Sequence, residues 1–213
     1  MSFFENTRKP VGFSGKIMVA MMNFGHSAMA AWGLHFLQPA PDAMVLDCGC
    51  GGGANIKTLL KLCPKGKVQG IDYSAVSVEK ARKVNAGAIA AGQCTVQQAS
   101  VAELPFGAEQ FDVVTAFETV YFWPELAQNF REVYRVLKDD GVLIAPTFTH
   151  AENSFSGKVK AFFMKLAGFP LHSKWTSEEY LSFLHQNGWA VRNSVVLKAS
   201  FPLTYTECVK SEV

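Results

Sequence analysis

The residues best suited to chemistry stand close together. The run Val45-Leu-Asp47-Cys-Gly49-Cys-Gly51-Gly-Gly53 leaves an apolar stretch and enters a helical pattern. Glycines there let the backbone approach a ligand closely, and the following helix N-terminus offers free N–H groups. A second carboxylate, Asp72, ends the next apolar stretch in Gly70-Ile-Asp72-Tyr73-Ser74. A carboxylate accepts two hydrogen bonds from a ribose diol, so loop and acid together make the nucleoside-binding pattern of doubly wound folds. Gly49-x-Gly51-x-x-Ala54 also satisfies the dinucleotide fingerprint, which keeps a nicotinamide-dependent oxidoreductase open as an alternative. Against it, Asp47 precedes the loop, where a negative charge repels a pyrophosphate but suits an ammonium or a water. No second glycine motif follows Asp72 for a nicotinamide half.

The elements that must position these residues follow from the apolar pattern. Ala43–Asp47, Lys67–Asp72, Cys94–Gln98, Phe111–Phe117 and Gly141–Thr147 read as strands. Helices are expected after the glycine loop through Leu62, from Ala75 to about Ala91 behind a Ser74 cap, and from about Pro124 to Leu137. That alternation means a parallel sheet covered on both faces. A further helix starts near Thr176, with Glu179 at the capping-box position. The runs Ala190–Ala199 and Leu203–Lys210, split by Ser200-Phe-Pro202, should pair as an antiparallel hairpin where the dinucleotide fold has its sixth parallel strand. The expected fold is therefore α/β: a doubly wound, seven-stranded, mostly parallel sheet with a C-terminal antiparallel hairpin and helical caps. Residues 1–40 form an N-terminal helical cap, and 41–213 the main domain with a helical insertion at about 152–174, its helix from Ser156 to Ala167.

Composition narrows the partners. With 213 residues, 49% hydrophobic, the chain can bury a sizeable core. The net charge of +2 comes without a basic stripe, which argues against a nucleic-acid partner. Five scattered cysteines, an odd number, point to reduced thiols in a cytoplasm, and the lack of a CxxC or HExxH pattern argues against a metal site. Ile17–Pro41 carries no Asp, Glu, Lys or Arg, but Asn23, Gly25, His26, Ser27 and His35 interrupt it. Two short apolar helices fit that segment better than a membrane span; transient contact with a membrane surface stays open.

Four stretches in order carry a family likeness. They are the acid-x-Gly-x-Gly-x-Gly loop at Asp47–Gly53, Asp72 at the end of the second strand, Gln98-Ala-Ser100-Val101-Ala-Glu-Leu104-Pro105-Phe106, and Phe111-Asp112-Val-Val with Arg131-Glu-Val-Tyr-Arg-Val-Leu137-Lys and Gly141-Val-Leu. The chain resembles class I S-adenosylmethionine-dependent methyltransferases, and among them the small quinone-biosynthesis C-methyltransferases, closely over about residues 43–146 and by architecture over 176–210. The resemblance implies that S-adenosylmethionine is the cofactor. It implies that Gly49, Cys50 and Gly51, in the loop bounded by Asp47 and Gly53, line the methionine and ribose. Asp72 would hold the ribose hydroxyls and Tyr73 would lie against the adenine. Ser100 and Val101 fall in the adenine-contacting segment, Ser100 standing where the family usually has Asp. Phe117 and Glu118 would flank the methionine end.

The acceptor side is expected after the fourth strand. Tyr121, in Thr119-Val-Tyr121-Phe-Trp123-Pro, and His26 and His150, in the flanks, are the candidate catalytic groups. Trp123, Trp32 and Trp175 are the candidate substrate contacts, since aromatic rings suit an apolar or planar acceptor. Methyl transfer to a small organic molecule is the function so implied; a protein that binds the cofactor without catalysis is the alternative.

Overall fold

The computed structural model describes residues 27–149, 175–197 and 203–211, with side chains from Ala30 onward. His26, His150 and the expected helix Ser156–Ala167 lie outside the described residues. The elements are α1 (Ser27–Leu34), β1 (Met44–Cys48), α2 (Ala54–Leu62), β2 (Lys67–Asp72), α3 (Ala75–Val84), α4 (Ala86–Ala90), β3 (Cys94–Gln98) and β4 (Phe111–Thr115). A 3-10 turn at Val120–Phe122 leads to α5 (Leu126–Val136), β5 (Leu137–Ile144), β6 (Thr147–Phe148), α6 (Ser177–Gln186), β7 (Trp189–Leu197) and β8 (Leu203–Lys210).

The central strands are apolar on both faces because both faces are covered. Leu46, Val114 and Leu143 point into one core, with Phe130 and Val133 of α5 and Tyr180 and Leu184 of α6. Their neighbours Val45, Val113 and Ile144 point into the other, with Ile56 and Leu59 of α2, Val78 and Ala81 of α3, and Ala30 and Leu34 of α1. The strand order is β3-β2-β1-β4-β5-β8-β6, with β7 on β8; β1 pairs in parallel with both β2 and β4. The chain therefore runs outward from β1 to β3 and returns to β4, which opens a crevice at the carboxyl ends of β1 and β4.

The sheet has eight strands where the sequence pattern suggests seven. The register explains the difference. Leu143 pairs with Cys208 and Ile144 with Glu207, then Thr147 with Thr204 and Phe148 with Leu203. The offset is unchanged, so β6 continues the line of β5 across Ala145-Pro146, and proline, which has no N–H, interrupts the ladder. The carbonyl of Ala145 is held from two sides, by Tyr180 Oη at 2.9 Å and Thr206 Oγ1 at 3.0 Å. β7 pairs antiparallel with β8 through an irregularity between Val191 and Asn193, giving the expected hairpin strands.

The helix expected over Ala75–Ala91 is two helices, broken at Asn85. Asn85 Nδ2 donates to the carbonyls of Ala81 and Gly53, both at 3.0 Å, so its side chain competes with the helix backbone and ties the break to the glycine loop. Ser74 caps α3, and Thr176 with Glu179 forms a complete capping box on α6. Among the described residues all five cysteines are buried and free, no group of side chains is arranged for a metal ion, and no helix is long and apolar enough to cross a membrane.

The segment between β3 and β4 is strapped to α5. Arg135 donates to the carbonyls of Phe106 (2.8 Å) and Leu104 (3.1 Å) and pairs with Glu132, whose other bond comes from the N–H of Leu104 at 2.9 Å. Arg135→Ala should cost about 1–2 kcal/mol in urea unfolding, since it frees two carbonyls and loosens Glu132. A loss under roughly 0.3 kcal/mol would mean that water replaces the strap without penalty.

Candidate cofactor and active site

β1 delivers the chain into a turn held against β2. The N–H groups of Gly49 and Cys50 both donate to the carbonyl of Ile71, at 2.8 and 2.9 Å. Gly51 N–H donates to Asp72 Oδ2 at 2.9 Å and Ser74 N–H to Asp72 Oδ1 at 2.8 Å, so the second acid is fastened to the loop by backbone donors. Gly49 sits at φ +75°, and a Cβ there would stand 2.3 Å from Thr119 Cγ2; only glycine lets the end of β1 pass under the turn that follows β4. Gly51, at φ +52°, is the opposite case: a Cβ there would meet nothing within 4 Å. That open space beside Asp72 is a cradle a ligand can enter.

Asp47 is the most unusual side chain of the site. It is 1% exposed, directly across the β1–β4 ladder from Thr115, whose hydroxyl donates to Oδ1 at 2.8 Å. Its other oxygen, Oδ2, is buried with no hydrogen-bond partner among the described residues. Burial, reinforced by the Asp72 charge and only partly offset by the Thr115 bond, pushes its carboxyl up to about 7. Burial also raises Asp72, against the pull of the Ser74 and Gly51 N–H groups.

The carboxyl end of β4 completes the arrangement. Glu118 is 5% exposed at φ +55°, a left-handed conformation unusual outside glycine, and its N–H donates to the carbonyl of Pro146 at 3.2 Å. Thr119 Oγ1 donates to the carbonyl of Cys48 at 3.2 Å. The turn after β4 is thus pinned to the ends of both β1 and β5. Beyond it the ring of Tyr121 packs at 4.5 Å from Phe122 and 6.0 Å from Phe148. On the β3 side, Ala99 N–H reaches the carbonyl of Asp72 at 3.2 Å and Gln98 Nε2 that of Tyr73 at 3.0 Å. Ser100 and Val101 therefore follow beside Asp72 and Tyr73, with Ser100 Oγ accepting from Ala102 N–H at 3.2 Å.

These features fit a sulfonium nucleoside. An unpartnered buried carboxylate oxygen suits an ammonium, the space at Gly51 admits a ribose, and Asp72 keeps lone pairs for its hydroxyls. Residues 46–145 match the family described as a methyltransferase domain. The chain is 33% identical over 114 residues to the malonyl-(acyl-carrier protein) O-methyltransferase of Legionella pneumophila, covering 54% of this chain and 39% of that protein. It is 29% identical over 146 residues to a ubiquinone/menaquinone biosynthesis C-methyltransferase of Geotalea daltonii, covering 67% of this chain and 62% of that protein. In both cases the chain spans less than two thirds of the relative. A chain of the Haloferax volcanii complex between a methyltransferase and its activator superposes with a TM-score of 0.76 at 18% identity, over 91% of this chain and 94% of that one, a likeness of fold. The chain holds a class I S-adenosylmethionine-dependent methyltransferase domain. S-adenosylmethionine is its cofactor.

Within this methyltransferase domain the loop Asp47–Gly53, Asp72 and the Phe117–Glu118 turn come together at one crevice, as their order suggests. Trp123 and Trp175 pack elsewhere. Trp123 is 5% exposed and packs on Phe130 at 5.2 Å in the core under α5, because the 3-10 turn before it folds it back. It is a core residue where an acceptor contact was expected. Trp175 stacks on Tyr180 (5.3 Å) and Phe183 (4.8 Å) of α6. Trp32 meets Tyr205 of β8 edge-on at 6.1 Å, and its neighbour Gly33 lies against Phe117. Tyr73 is 54% exposed, an open face at the rim. Thr115, Thr119 and Asn85 also support the site, by bonds to Asp47, Cys48 and Gly53. A polar residue inside the apolar run Phe111–Phe117 was the available signal for Thr115; nothing local marks the other two.

Proposed function

We propose that this methyltransferase domain moves a methyl group from S-adenosylmethionine to a small apolar or aromatic acceptor. The observation that carries the reading is the aromatic cluster of buried Tyr121 with half-buried Phe122 and Phe148, which follows the Phe117–Glu118 turn at the same strand ends as the glycine loop. The quinone-biosynthesis relative, by its name a C-methyltransferase, supports an aromatic acceptor.

The cofactor supplies an electrophilic methyl for in-line displacement. The chain's residues bind, orient and exclude water. In this reading Asp47 faces the ammonium, the backbone of Gly49, Cys50 and Gly51 lines the methionine and ribose, and Gly53 closes the loop onto α2. Asp72 takes the ribose hydroxyls, Tyr73, Ser100 and Val101 border the adenine, and Phe117 with Glu118 flanks the methionine end. α1 lies against Phe117 through Gly33. Tyr121 orients the acceptor rather than removing its proton: burial and the Glu118 charge push its phenol well above the ordinary range, so it stays protonated. A base, where the acceptor needs one, falls to His26 or His150.

The test is titration with S-adenosylmethionine, S-adenosylhomocysteine and NADH, followed by labelled-methyl transfer to phenolic, quinone-like and prenylated acceptors. Binding of the two sulfur nucleosides with transfer to a planar acceptor is expected. Binding with transfer only to a charged polymer would overturn the acceptor class. His26→Ala, and separately His150→Ala, should show which histidine is the base: about a tenfold or greater loss of kcat with cofactor affinity kept marks it. Full turnover in both would leave the reaction without a histidine base.

A further inference from the structure

Asp47 presents a problem that the empty protein must solve. A carboxylate with one oxygen bonded to Thr115 and the other buried without a partner among the described residues is costly, and a neutral acid is the cheaper occupant of that position. Among the described residues, the groups around it offer no counter-charge. Asp72 at the end of β2 is another acid, and Cys94 of β3, Cys48 of its own strand and Cys50 of the loop are thiols that burial keeps protonated. β4 offers the Thr115 hydroxyl; Lys57 and Lys61 of α2, and His35 after α1, are exposed.

We propose that cofactor binding expels a proton from Asp47, which is a neutral acid in the empty site and a carboxylate once the ligand's ammonium lies against it. The inference rests on the placement of the ammonium at Asp47 and adds what that placement demands of the proton. The O–H bond of the acid breaks, its electron pair stays on the carboxylate, and the proton passes to buffer. The sign follows from linkage: the empty protein binds more protons than the loaded one below about pH 7, so affinity rises with pH through neutrality.

The experiment is calorimetric titration with S-adenosylhomocysteine, which carries the ammonium without the sulfonium, in buffers of different ionisation enthalpy. A group half ionised near pH 7 should release about half a proton at pH 7, nearly one at pH 6 and about a tenth at pH 8, with affinity roughly tenfold tighter at pH 8 than at pH 6. Asp47→Asn should remove the release and flatten the pH dependence. A binding enthalpy independent of buffer at pH 6, or release that persists in D47N, overturns the proposal. Failure of the wild-type protein to bind at any pH would instead overturn the ammonium placement beneath it. Should D47N not fold, difference infrared spectra of the wild type at pH 6 decide. Loss of a protonated-carboxyl carbonyl band on ligand addition is expected, and an unchanged carboxyl region overturns the proposal.

Discussion

Gly49→Ala should abolish detectable binding of S-adenosylhomocysteine and cost about 2–5 kcal/mol of stability. Two independent penalties add. The residue sits at φ +75°, where a Cβ costs about 1–2 kcal/mol. The new methyl would also stand 2.3 Å from Thr119 Cγ2 and 2.9 Å from Thr119 Cβ, an overlap that must push the turn after β4 away at a further cost of about 1–3 kcal/mol. Because Thr119 also bonds the carbonyl of Cys48, the displacement opens the crevice on the side proposed for the methionine end. Urea unfolding and calorimetry read the two effects. Adding Thr119→Ser removes Cγ2 but keeps the hydroxyl, so the double variant should recover part of the loss. No recovery would assign the whole effect to the backbone.

The second large effect belongs to Asp72. Asp72→Ala should weaken cofactor binding at least about tenfold, because in the proposed binding mode it deletes the acceptors for both ribose hydroxyls. It also strips partners from Gly51 N–H and Ser74 N–H, which places the loop itself at risk and should lower stability by about 1–3 kcal/mol. Asp72→Asn separates the two contributions. It keeps the shape and one carbonyl acceptor but sets an amide NH2 against the other loop N–H, so it should lose only part of that stability while still losing affinity. Equal titrations for wild type and both variants would falsify the nucleoside-site assignment.

The parts of this domain that declare themselves in the sequence are those whose physics is local. Ser74 and Thr176 cap helices within four residues of themselves, and apolar runs bury strands on both faces wherever they occur. The glycine loop was legible because glycine at φ > 0 leaves a mark in residue type. What was not legible depends on contacts between distant segments. The break at Asn85 comes from a carbonyl 32 residues away, the split of β5 from one proline that a short apolar run concealed, and the strain at Glu118 from a turn pinned at both ends. Trp123 misled for a related reason. Its position after β4 is that of a crevice residue, but the 3-10 turn of three residues rotates it into the core. The acid at Asp47 could be read as suiting an ammonium; that one oxygen would be left alone could not.

The bond from Asn85 to Gly53 changes what counts as the nucleoside-binding motif. Written as text it is nine consecutive residues, Val45 to Gly53. As a mechanical object it is discontinuous, with its last glycine anchored by an amide from the joint between α3 and α4 and its first glycine roofed by Thr119. Transplanting the nine residues into another α/β scaffold without those two distant supports would move the letters and leave the device behind.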